Sequence, residues 1–126
     1  MKLSTRWILA CGALLLMLAV MLGAFGAHAL KQHLSEEMLT VYKTAVDYQF
    51  IHALGLLAIG ILLLKFPESR LLVYAASSLA LGIVLFCGSL YALSLTDIRL
   101  LGAVTPFGGL AFITGWLLLV IGVFRI

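Results

Sequence analysis

Apolar residues fall into four long runs separated by short polar interruptions. They cover residues 7–30, about 45–64, 71–95 and 100–124. A helix of about 24 residues rises about 36 Å, enough for a hydrocarbon core near 30 Å. The second run is the shortest, and its helix is expected to start earlier. Ser35 followed by Glu36 and Glu37 reads as an N-cap with acids in the first turn, and nothing breaks the helix from there to Leu64. Lys65-Phe66-Pro67-Glu68-Ser69-Arg70 and residues 94–99 are short links, which make consecutive helices antiparallel neighbours. The predicted fold is all-α and integral to a membrane: four transmembrane helices in an up-down bundle, one domain over residues 1–126.

Composition sharpens this picture. Of 126 residues, 64% are hydrophobic and only 10% charged, with a mean hydropathy of +1.23. A soluble domain carries about 25% charged residues, and so short a chain could not bury so much apolar surface in water. Lipid is therefore the expected solvent. Ala27-His28-Ala29 resembles a signal cleavage site, but the preceding apolar region of about 20 residues exceeds the 7–15 usual for a signal. That segment is read as a span. The net charge of +3 is dispersed, so no nucleic-acid partner is expected. Lys2, Arg6, Lys65, Arg70 and Arg125 fall on one side of the membrane, and Lys31, Lys43 and Arg99 on the other. The excess predicts that both termini lie in the cytoplasm.

The remaining polar residues crowd toward the outer side. His28 ends the first span, Asp47, Tyr48, Gln49 and His52 enter the second, Tyr91 leaves the third and Thr105 enters the fourth. Thr44, Tyr48 and His52 follow i, i+4, i+8 spacing and are expected to share one helix face. An ionisable residue inside a span marks a candidate site, because burying its charge in lipid is costly. The structural alternative is that these groups hydrogen-bond to one another and set the packing. The two readings differ in geometry: a ligand site needs a cavity between helices, whereas packing needs close pairs. Tyr48 and His52 are expected to point into the bundle.

Other chemistry is thin. No Gly-rich phosphate loop, His-Glu-x-x-His or Gly-x-Ser-x-Gly motif occurs. The imidazoles of His28 and His52 suit iron, copper or zinc, yet no motif supports a metal or haem, and no cofactor is expected. Cys11 and Cys87 read as small buried hydrophobes. Hydroxyls of Ser77, Ser78 and Ser89 are expected to bond to their own helix. Gly23, Gly26, Gly88, Gly108, Gly109 and Gly115 give thin faces on which helices can pack closely.

Several segments carry a resemblance: Gly23-Ala24-Phe25-Gly26-Ala27-His28-Ala29-Leu30-Lys31, Thr44 through Leu54, Gly88-Ser89-Leu90-Tyr91, Leu101 through Gly109, and Gly115-Trp116. Together the chain resembles the small bacterial inner-membrane proteins of domain-of-unknown-function family 423 (UPF0382), and more distantly the eukaryotic transmembrane protein 256 group. The resemblance implies a multi-pass protein of about four helices and brings no substrate, reaction or cofactor with it. The expected role is a structural or accessory membrane protein, with the bilayer and a homo-oligomer or membrane-protein partner around it. A small transporter or channel, and a cofactor- or lipid-binding protein, are the alternatives.

Overall fold

The computed structural model describes residues 1–126. Four antiparallel helices cross from end to end: α1 (Leu3–Leu30), α2 (Glu36–Lys65), α3 (Arg70–Thr96) and α4 (Arg99–Val123). Ser35 caps α2, its hydroxyl accepting the Met38 N–H at 3.2 Å. Ser69 does the same for Leu72 at the start of α3. α4 opens with a tight 3-10 turn, Arg99–Ala103, and becomes α-helical at Thr105, where Pro106 sits in the first turn and needs no N–H partner. Only residues 97 and 98 separate α3 from α4. Asp97 makes that turn in the left-handed conformation, φ 57°, which Asp tolerates better than most residues.

Burial grades from the centre outward. Half of the apolar window of α2 is buried within the bundle, against 11% of that of α1. α1 rests on α2, and α4 rests on α3, so α2 and α3 form the central pair. Leu56, Ile59 and Leu63 meet Leu72, Ala76 and Leu79 there, and Phe112 of α4 closes the cluster. The outward faces of the flanking helices, including Trp7, Leu14, Met17, Phe107 and Ile113, are exposed and apolar, as lipid requires. Cys11 and Cys87 are free thiols.

Each end of the bundle carries an ion pair between segments distant in sequence. Lys2 Nζ lies 2.7 Å from Glu68, tying the N-terminal segment to the α2–α3 link. At the other end the Arg99 guanidinium donates to both Glu37 carboxylate oxygens, at 2.7 and 3.2 Å. Those hydrogen bonds hold the Glu37 carboxyl, in the polar lead-in ahead of the span, below its ordinary pKa. Such exposed pairs add little stability, but they mark which chain ends and links lie together.

α1 and α3 each contain one wider π-helical turn, Gly26–Leu30 and Ile83–Cys87. Both stand where another helix comes close. The Tyr42 ring lies on the backbone of Gly26, and α4 passes Phe86 so closely at Gly108 that a Cβ would strike the Phe86 backbone. Gly115 admits Leu79 in the same way, while Gly23 makes an ordinary contact with Val46. Gly88 and Gly109 face open space, so close approach depends on the other glycines. Adding a methyl at Gly108 forces a rigid backbone apart, and overpacking of this kind costs about 1–3 kcal/mol. Gly108→Ala should lower the thermal unfolding midpoint in detergent, and Gly109→Ala should leave it unchanged.

Candidate functional site

Gln49 is the hub of the polar residues. Only 3% of it is exposed, so its amide must find partners inside the protein. Its Nε2 donates to the Leu15 carbonyl of α1 at 2.8 Å, and its Oε1 accepts the Tyr91 hydroxyl of α3 at 2.7 Å. One side chain thereby joins three helices. Tyr42 extends the contact: its hydroxyl donates to the Leu22 carbonyl of α1 at 2.5 Å, and its ring meets Tyr91 edge-on at 5.3 Å.

A second group joins α3 to α4. The Ser89 hydroxyl donates to the Phe86 carbonyl at 3.0 Å and lies 2.7 Å from Thr105 Oγ1. Because Ser89 has one proton and uses it on Phe86, Thr105 is the donor in that pair. Ser78 donates to the Ala111 carbonyl of α4 at 2.7 Å. Ser77 does bond to its own helix, at Val73, but Ser78 departs from expectation because α4 brings a carbonyl within reach.

His52 belongs to an aromatic wedge between α2 and α4. Its ring stacks on Phe112 with centroids 3.5 Å apart, and Trp116 lies 5.8 Å away. Nδ1 is 2.7 Å from the Tyr48 carbonyl. A carbonyl only accepts, so Nδ1 carries a proton and is the donor in this contact. Tyr48 stacks on Phe86 at 4.4 Å but remains 39% exposed, so of the pair expected to face inward only His52 is buried. Thr44 bonds to the Thr40 carbonyl of its own helix. Each i+4 step advances about 40° around a helix of 3.6 residues per turn. The supposed stripe therefore drifts from the rim at Thr44 to the interior at His52.

His28 and Asp47 stand apart from these contacts. Both are exposed: His28 on the π-helical turn of α1, Asp47 beside Lys43 in a cleft of about 240 Å³ between α1 and α2. Lys43 and Asp47 form no ion pair. His28 makes no ring contact with His52. Five of the seven candidate residues thus fall into three groups, Gln49 with Tyr91, Thr105 with its partner Ser89, and Tyr48 with His52.

Tyr42, and the bond of Ser78 to another helix, escaped the sequence reading. A signal for Tyr42 existed, since Met38, Tyr42, Ala45, Gln49, Leu56 and Leu63 follow the 3–4 spacing of one buried face. Ser78 had none. Its default bond is to its own helix, and only the position of α4 changes it.

The sequence profile of the family described as "Protein of unknown function (DUF423)" matches residues 22–109. That stretch contains all seven candidate residues and every side chain that hydrogen-bonds across helices. The chain belongs to this family. Among DUF423 relatives, a UPF0382 membrane protein of Staphylococcus saprophyticus is 53% identical over 115 residues, covering 91% of this chain and 94% of its own. One of Staphylococcus haemolyticus is 50% identical, covering 90% and 92%. UPF0382 membrane protein YwdK of Bacillus subtilis is 46% identical, covering 87% and 89%. No solved structure matches the chain. The DUF423 chain is thus a multi-pass membrane protein.

Interhelical hydrogen bonds inside membranes average about 0.6 kcal/mol and reach about 1.7. Gln49→Leu should destabilise this protein within or above that range, because it also leaves the Tyr91 hydroxyl unpaired. Tyr91→Phe should cost less. In a double-mutant cycle read by unfolding in detergent, the combined variant should cost clearly less than the sum of the two.

Proposed function

We propose that this DUF423 protein is a structural or accessory component of the cytoplasmic membrane. On this reading Tyr48, Gln49, His52, Tyr91 and Thr105 on the outer side are chiefly a device for helix packing, and the exposed His28 and Asp47 stand outside it. The observation that carries this reading is the engagement of Gln49, Tyr91, Ser89 and Thr105 with one another or with backbone carbonyls across helices. A vestibule would leave those groups facing a passage. The largest recess, about 420 Å³, instead lies at the opposite end of the bundle. An accessory protein of this size works through a partner, which is either a second copy or another membrane protein.

Extraction of the protein with its native lipids, followed by mass measurement, tests this. The particles should contain a further protein chain beside one of 13.6 kDa, either a second copy or a different membrane protein. Particles with a single chain would overturn the proposal. Solute or ion flux from such particles in vesicles would favour a transporter, and a bound haem or quinone would favour a cofactor-binding protein.

We also propose that both termini face the cytoplasm. The Lys2–Glu68 pair places the N-terminal segment beside the α2–α3 link, and Ile126 lines a recess with that same link. Lys2, Arg6, Lys65, Arg70 and Arg125 therefore share an end, in keeping with the excess of cations on cytoplasmic segments. A reporter that is active only in the cytoplasm should be active when fused after Ile126; activity of a reporter that works only outside would reverse the assignment.

A further inference from the structure

We propose that the recess at the end of the bundle holding both termini binds the phosphate of an anionic phospholipid headgroup, through Lys65 and Arg125. This rests on the protein's membrane residence and not on its packing role. The recess measures about 420 Å³ and is formed by the α2–α3 link, Lys65 through Ser69, together with Arg125 and Ile126 at the end of α4. A water molecule occupies about 30 Å³ in the liquid, so a glycerophosphate headgroup fits with room to spare.

Charge decides the class of ligand. Five cations share this end with a single acidic side chain, Glu68. Glu68 is taken by Lys2 at 2.7 Å, while Lys65 and Arg125 have no carboxylate within salt-bridge distance. Lys65 is also placed: its Nζ lies over the Phe66 ring, 5.6 Å from the centroid, at the wall of the recess. An ammonium and a guanidinium lining one recess suit a phosphate, which the guanidinium can grip with two parallel hydrogen bonds.

Depth decides its source. Both residues lie at helix ends, directly beyond Leu64 and Phe124, which are exposed and apolar. A lipid anchored there lays its acyl chains along those side chains and its headgroup in the recess. Cationic pockets at this level of a membrane protein are well placed to take anionic headgroups. The cleft at the other end differs: its one cation, Lys43, stands beside Asp47, whereas the Glu68 of this recess is taken by Lys2.

The test uses the whole protein in a neutral detergent, titrated separately with phosphatidylglycerol, phosphatidylcholine and inorganic phosphate. Binding is read by native mass spectrometry and by the shift of the thermal unfolding midpoint. Phosphatidylglycerol should bind about tenfold tighter than phosphatidylcholine. Lys65→Gln combined with Arg125→Gln should weaken phosphatidylglycerol roughly tenfold to thirtyfold, in line with the contribution of two cations near a lipid surface. Arg6→Gln, a cation at the same end but outside the recess, should change it less than twofold. Equal binding of the two lipids would overturn the proposal, and this comparison needs no variant. Retained affinity in the double variant, or an equal loss in Arg6→Gln, would also overturn it. A midpoint shift reproduced by inorganic phosphate would reassign the recess to a free anion.

Discussion

A carboxamide in hydrocarbon has no water to fall back on, and the architecture of this protein turns on how Gln49 meets that constraint. Its two ends are satisfied on different helices, at Leu15 of α1 and Tyr91 of α3. Sliding either helix by one residue moves a partner out of reach. The amide therefore sets the depth of three helices at once, a role that apolar contacts fill poorly because lipid tails compete with them on equal terms. With that depth set, Tyr42 reaches both the Leu22 carbonyl and the face of Gly26.

The fourth helix is held by different means. Shape dominates here: Gly108 lies against the Phe86 backbone, Phe112 fills the space over Gly82, and Gly115 receives Leu79. Two hydroxyl contacts, Ser78 to Ala111 and Thr105 to Ser89, add direction to those contacts. His52 sits where the two arrangements meet. It belongs to α2, yet its ring is stacked on Phe112 of α4, so the aromatic wedge couples the amide-centred half to the glycine-packed half.

Charge has little part in the interior and much in the polarity of the molecule. The two interhelical ion pairs lie at opposite ends, each joining segments far apart in sequence. One end keeps an excess of cations with a recess among them, and the other carries most of the acids. Packing in the middle and charge at the ends are thus separate properties, and they are open to separate experimental change.

Much of this was legible in the chain. Run length and hydropathy established the solvent and the four spans, and Ser35 with its two acids marked the true start of α2. These are local features, and each depends only on neighbours a turn or two away. The polar residues were legible as a set crowded toward one face, but not in their pairing. His28 and Asp47 looked equal to Gln49 in sequence, yet they stand exposed while Gln49 is the hub. Gly88 and Gly109 looked equal to Gly108, yet only Gly108 meets a backbone. Such distinctions depend on the rotation and depth of each helix relative to its neighbours. Those are fixed by contacts between residues distant in the chain, which no local pattern encodes. The sequence by itself determined that four helices cross a bilayer; the tertiary structure alone decided which polar groups meet, because in lipid a buried hydrogen-bonding group takes whatever partner the neighbouring helix presents.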